Sequence, residues 1–528
     1  MVSLAVAHSR ALRGLSAPAV RVEVHLATGL PTFTIVGLPE AAVRESRERV
    51  RAALIQNGFE FPNRRITVNL APADLPKDSA RFDLPIAVGI LAASQALPAA
   101  RLDTVELVGE LSLGGALRPI RGALALAAGF AADAVDRSLV LPLENAPEAA
   151  LSGHDGILGA RSLQEVCDHL HARRRLPAQT PHSDIMPSGG ADPARLAPTR
   201  DLDLADVVGQ LGARRALEIA AAGRHHLLMA GPPGTGKSLL AQRLPGLLPP
   251  PTRAEALAAA AVASLRDAVD PARWMRRPFR TPHHSVSVAG LIGGGQPPRP
   301  GEISLAHEGV LFLDELPEFR RAALEALREP LETGQVTVAR GAQSETFPAG
   351  FLLVAAMNPC PCGYLGDALR SCRCTPAQLR RYRTRLSGPL LDRFDLCVDV
   401  RRETAVPVAG SANEASAPVA RRVAAARERQ RLRQERCNGD LLAGELQRHL
   451  GLAPAAADLA ARAAARFGWS MRALHRALKV ARTIADLAGR ERTLADDVAE
   501  AIALRRGLES WADGAAGHSV EPWPERAA

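Results

Sequence analysis

The run HLLMAGPPGTGKSLLAQRL constrains this chain more than any other. It reads as an apolar strand, then Gly231, four residues, Gly236, Lys237 and Ser238, then an apolar-periodic helix. Glycines let backbone N–H groups close around phosphate oxygens, and the helix N-terminus behind them adds partial positive charge. Gly231, Pro232, Pro233, Gly234, Thr235, Gly236, Lys237 and Ser238 are therefore the expected nucleotide cradle, a P-loop. Lys237 is placed to pair the β- and γ-phosphates and Ser238 to ligate Mg²⁺. Downstream, GVLFLDEL is a second apolar strand ending in Asp314 and Glu315. Asp314 can hold the Mg²⁺ shell and Glu315 can polarise the attacking water, because a strand end places both carboxylates at the phosphate edge of a parallel sheet. A third strand, GFLLVAAMN, ends in Asn358, a polar residue able to orient water or sense the γ-phosphate. These motifs imply ATP hydrolysis with ATP and Mg²⁺ as ligands.

A chain of 528 residues suggests three or four domains, and 47% hydrophobic content supplies more than one core. Aromatics are 3%, so aliphatic packing and an α/β class are favoured. Residues 1–170 alternate strand and helix signals: VRVEVHL, RITVNL, TVELVGEL and SLVLPL as strands, EAAVRESRERVRAALIQNG, DLPIAVGILAASQAL and GALALAAGFAADA as helices. Residues 171–200, rich in Pro, Gly, Ser and Arg, read as a linker; 201–400 form the second α/β block. A second break over 401–420 precedes a helical lid at 421–508, and 509–528 read as a tail. The net charge of +9 permits a polyanionic partner such as DNA. The opening apolar run is too short for a signal-peptide core and no stretch is long enough to span a bilayer, so a cytoplasmic protein without membrane contact is expected.

Seven cysteines in a reducing compartment are more apt to bind metal than to pair. Cys360, Cys362, Cys372 and Cys374 cluster in CPCGYLGDALRSCRC, directly after Asn358, and four thiolates so spaced can close a tetrahedral Zn²⁺ site or remain unliganded thiols. Cys167, Cys397 and Cys437 are scattered and read as buried fillers.

The ordered P-loop, Asp-Glu strand and Asn-ended strand, followed by a helical domain, resemble the AAA+ ATPases. That resemblance implies a ring with shared sites, Arg393 in SGPLLDRFDL as the finger reaching a neighbouring subunit, and Arg472 in the lid as a second sensor. The stretch RPFRTPHHSVSVAGLIGGGQPPRPGEISLAHEGVLFLDELPEF is similar to the magnesium-chelatase group, which implies an insert within helix 2 and a hairpin before the sensor strand, both facing a ring pore. The matching hairpin is GQVTVARGAQSETF, and His283, His284 and Arg340 become candidate pore contacts with DNA.

Only three lysines occur in the chain, and one, Lys77, stands in LPKDSARFDLP. Together with residues 107–149 this segment resembles the proteolytic domain of Lon-type proteases, a ribosomal S5-like α/β fold. The resemblance is incomplete: ARFDL occupies the nucleophile turn, Ser79 follows Lys77 too soon, and apolar Leu124 stands where the dyad lysine belongs. A serine without a base is a poor nucleophile at neutral pH, so proteolysis is not expected. A Lon-like domain fused to a chelatase-like AAA+ core resembles the ComM group of bacterial competence proteins. It implies a hexameric helicase driving branch migration of single-stranded or branched DNA. A magnesium-chelatase-type ATPase subunit and a MoxR-like chaperone are the alternatives.

Overall fold

The computed structural model describes residues 3–38, 40–75, 77, 79–133, 136–179, 202–340, 343–367, 369–402 and 413–512. Two α/β units and a helical lid make up the chain. In the first unit seven strands run in the order Thr32–Val36, Arg65–Ala71, Ala19–Ala27, Ser3–Arg10, Val105–Leu107, Ser138–Pro142 and Ile157–Ala160. The period-two alternation of Val20, Val22, Val24 and Leu26 puts all four side chains on the covered face, each no more than 1% exposed. Helix Asp83–Ala93 lies over that face. The opening apolar run, read from sequence only as too short for export, is strand Ser3–Arg10 in the middle of this sheet. Its last residue, Arg10, is buried and donates from Nε to Glu106 at 2.7 Å. A buried pair of this kind is costly to break from one side.

The second unit is a five-stranded parallel sheet ordered Phe279–Arg280, Val310–Leu313, Leu352–Met357, Leu227–Ala230 and Leu396–Asp399. Its central strands are apolar throughout because helices and loops cover both faces. This order sets the P-loop strand directly beside the Asn-ended strand, which separates it from the carboxylate strand. Their C-terminal ends consequently open at one edge. After Phe279–Arg280 the chain forms a short helix, Val288–Ile292, a small hairpin pairing Gly293–Gly294 with Arg299–Pro300, and helix Glu302–Leu305. A longer hairpin, Gln335–Arg340 with Gln343–Pro348, follows.

Segment boundaries differ from those expected. Residues 171–179 are not free linker: Leu176 is buried in the first core, and Gln179 N–H donates to Ile157 O at 2.9 Å. The remainder of that stretch, 180–201, lies outside the described residues. The lid begins at Ser416 rather than 421, because Asp203 accepts from Ser416 N–H at 2.8 Å and Ser416 Oγ accepts from Leu204 N–H at 2.7 Å. Its further helices are Pro454–Phe467, Met471–Leu487 and Ala495–Ala512, the last continuing past the expected end at 508. Residues 513–528 are outside the described region.

Candidate nucleotide site and its surroundings

The turn between strand Leu227–Ala230 and helix Lys237–Arg243 has Gly234 at φ +77° and Gly236 at φ +89°, values a side chain disfavours. Gly231 packs so closely that a Cβ there would lie 2.1 Å from Val400 O. Lys237, 8% exposed, donates to Gly231 O at 2.7 Å and Pro232 O at 2.8 Å, and reaches Asn358 Oδ1 at 3.3 Å. Burial lowers its pKa to about 8, against the pull of Asp314 and Glu315. Main-chain carbonyls thus hold the ammonium where the turn needs cationic charge. Ser238 Oγ donates to Asp314 Oδ2 at 2.5 Å. Two hard oxygens converging at the mouth of a phosphate loop are the donor set Mg²⁺ takes. Thr235 Oγ1 donates to Pro232 O at 3.0 Å, which braces the turn from within.

Glu315 adopts φ +54°, ψ +46°, a left-handed conformation that is strained for a residue with a side chain. The Glu315 carboxylate Oε2 meets His284 Nδ1 at 3.3 Å. His284 is in turn covered by His283, ring centroids 4.0 Å apart, and lies edge-on to Phe319. The chain returns from strand Phe279–Arg280 beside the carboxylate strand, and that path presents His284, read from sequence as a pore contact, to Glu315. His283 is exposed and hydrogen-bonds Ser285 Oγ at 2.8 Å. Nothing local in PHHS announces the Glu315 contact, because the partner is reached only through sheet pairing.

The longer hairpin leans on the first unit instead of standing clear. Arg13 Nε donates to Glu345 at 3.0 Å and Gln343 Nε2 to Glu40 at 3.2 Å. The Arg340 side chain and the turn 341–342 are outside the described residues.

Arg393 and Arg472 come together, which spacing alone did not indicate. Both line a cleft of about 570 Å³ between core and lid, with Glu332, Asp395, Arg476 and Lys479. Arg393 is 6% exposed and hydrogen-bonds Glu332. Burial lowers its pKa while Glu332 opposes the shift. Arg476 supports the arrangement by donating to Arg393 O at 3.0 Å and Asp395 at 2.7 Å. Among the described residues, the cleft is lined by none of the P-loop, nor by Asp314, Glu315 or Asn358.

The four clustered cysteines converge as expected. Cys360, Cys362 and Cys372 sulfurs lie 3.4, 3.6 and 3.7 Å from one another. All four Sγ atoms fall within 4.8 Å. Sulfurs at about 2.3 Å from one tetrahedral centre are separated by roughly 3.8 Å, whereas a disulfide requires about 2.05 Å. The cluster therefore fits a metal far better than a covalent pair. Cys374 Sγ accepts from Cys362 N–H and Cys372 Sγ from Cys374 N–H, both at 3.4 Å, the outer hydrogen bonds that steady thiolate ligands. Cys167 and Cys397 are buried as expected, whereas Cys437 is half-buried.

In the first unit, Lys77 is fully buried and donates to Pro72 O, while Ser79 Oγ accepts from Arg81. Asp83, in the ARFDL turn, accepts from Arg49 Nε at 2.7 Å and Leu111 N–H at 3.2 Å. Leu124 is packed against Leu151 and Ala260. Ser79, Lys77 and Leu124 each keep a separate structural partner.

Among the described residues no helix is long and apolar enough to cross a membrane. Residues 203–407 match the family model for magnesium chelatase, subunit ChlI, residues 22–145 that for subunit ChlI of Mg-chelatase, and residues 413–505 that for its C-terminal region. The chain is 47% identical to the competence protein ComM of Haemophilus influenzae, over 96% of this chain and 98% of that one. It is 48% identical to the uncharacterized protein YifB of Salmonella typhimurium over 96% and 97%, and 43% identical to an uncharacterized protein of Mycobacterium tuberculosis over 96% and 99%. Family membership brings ATPase activity and the use of ATP and Mg²⁺. The chain belongs to the ComM and magnesium-chelatase-like family of AAA+ ATPases.

Proposed function

We propose that this ATPase is a ring-shaped motor, a hexamer, that moves DNA strands by branch migration during integration of incoming DNA. The observation that carries the ring is the shared cleft of Arg393 and Arg472, which none of the chain's own P-loop residues line. In a ring, two cations set apart from their own Lys237 would meet the phosphates of a neighbouring subunit. In that arrangement Lys237 binds the β- and γ-phosphates, Glu315 accepts a proton from the attacking water, and Asn358 holds that water in line. Arg393 and Arg472 of the adjoining copy stabilise charge developing on the transferred phosphoryl group. Ser238 and Asp314 would hold Mg²⁺, which when bound neutralises phosphate oxygens. The His284 contact keeps Glu315 engaged elsewhere until the insert moves.

The DNA reading draws on the basic balance of the chain, +9 overall, and on the competence role in the relative's name. His283 and Arg340 are the candidate DNA contacts. The cysteine cluster is proposed to hold Zn²⁺ as a structural ion. A fluorescent three- or four-stranded junction incubated with the protein tests the DNA reading. ATP-dependent branch migration, with turnover stimulated by DNA and suppressed by salt, is expected. Turnover indifferent to DNA and no strand exchange would reject it. The chelatase family models favour a second reading, a metal-chelatase motor subunit, and tetrapyrrole-dependent turnover would support that instead.

A further inference from the structure

The nucleotide site has two walls, the turn Gly231–Gly236 and Asn358, and the cysteine loop touches both. Cys360 follows Asn358 after a single residue, and its side chain is fully buried. Gly363 N–H donates to Cys360 O at 2.9 Å. Gly363 has φ +85° and stands so close to the P-loop that a Cβ on it would lie 2.7 Å from Pro233 Cδ. On the returning side, Thr375 caps helix Pro376–Arg383, whose Tyr382 hydroxyl donates to Asn358 O at 3.2 Å. Asp367 ion-pairs with Arg402, beyond the sheet strand that flanks the P-loop strand, at 3.5 Å.

Between Asn358 and Thr375 the described residues contain neither helix nor strand. A loop with so little backbone pairing and one buried apolar anchor does not gain enough to fix its own path. Four sulfurs in tetrahedral spacing supply the missing constraint when a thiophilic divalent cation joins them. We propose that a metal at Cys360, Cys362, Cys372 and Cys374 buttresses the P-loop, so that metal occupancy sets nucleotide affinity. Gly363 against Pro233 and Asn358 against Lys237 are the two contacts through which it acts. This inference rests on the zinc reading above and extends it from a folding role to control of the ATP site.

The experiment uses the full chain purified under reducing conditions. Metal content is measured by mass spectrometry, and binding of a fluorescent ADP analogue is titrated in the presence of added Mg²⁺. The protein is then stripped with a chelator, retitrated, and reloaded with Zn²⁺ alone. About one zinc per chain is expected, with nucleotide binding about tenfold weaker after stripping and restored on reloading. Gly363→Ala is the companion variant: it keeps all four thiols, so it should retain zinc yet bind nucleotide several-fold more weakly. Zinc-replete Gly363→Ala with unchanged affinity, or stripped protein still folded by circular dichroism and binding normally, overturns the coupling while leaving the zinc site standing. Protein that carries no metal when freshly reduced and takes up no added Zn²⁺ removes the zinc reading and this inference with it.

Discussion

The chain's two α/β units each bury a lysine, and the two lysines do different things. Lys77 and Lys237 both donate to main-chain carbonyls, and burial lowers the pKa of both. Lys77 is sealed against Pro72 O, and neither Ser79 nor Leu124 gives it a reaction partner. Lys237 is held by similar bonds at the open edge of a parallel sheet, where Ser238 follows it in the same helix and Asp314 and Asn358 arrive from neighbouring strands. A buried cation becomes chemistry only where topology delivers complementary groups around it.

Replacing each lysine is the strongest way to break that comparison. Lys237→Ala should reduce ATP turnover by about 10³-fold through loss of phosphate binding, read by nucleotide titration and phosphate release. Lys77→Met should leave turnover within about twofold and cost about 1 kcal/mol of stability, the worth of one hydrogen bond, read by denaturant unfolding. Equal losses of turnover in the two variants would mean that the Lon-like unit takes part in catalysis. Next in size, Arg472→Ala should lower turnover about 10²-fold while nucleotide binding persists. Mixing Arg472→Ala with Lys237→Ala chains should recover part of the activity, whereas failure to recover would place Arg472 over its own nucleotide.

A smaller effect is expected at His284. His284→Ala frees the Glu315 carboxylate, so DNA-independent turnover should rise about threefold with unchanged nucleotide affinity. A fall in turnover would make His284 an orienting group instead. The smallest test concerns the seam between the two units. Glu148, 4% exposed, has its carboxyl pKa pushed up to about 7, chiefly by burial, against opposing hydrogen bonds from the Leu124 and Val269 backbone. The folded chain therefore holds this proton more tightly than the unfolded one. The associated stabilisation is complete below about pH 4.5 and is lost as pH rises through 7. Glu148→Gln should match the parent at pH 5 and exceed it by about 2 kcal/mol at pH 8, measured by unfolding at both values. Equal stability at both would show that the seam admits water.

Much of the candidate site's backbone was legible beforehand because its elements are written in short runs. Glycine spacing, an apolar strand ending in Asp314 and Glu315, and another ending in Asn358 each state a local backbone geometry. Strand VRVEVHL and the hairpin strands Gln335–Arg340 and Gln343–Pro348 were equally readable, since alternation is local too. Strand Ser3–Arg10 was not, because its short apolar run becomes a central strand only through pairing with Ala19–Ala27 and Val105–Leu107. Leu176 likewise looked like linker until the first core enclosed it.

Sequence by itself determined that a glycine-rich turn is followed by strand-end carboxylates, a strand-end asparagine and four thiols, since each motif is contiguous and its donors are fixed by residue type. Tertiary structure alone decided that His284 meets Glu315, that Arg393 and Arg472 share a cleft, and that Gly363 rests on Pro233. Those contacts join residues far apart in the chain, and their geometry is set by strand order and helix packing rather than by any local preference.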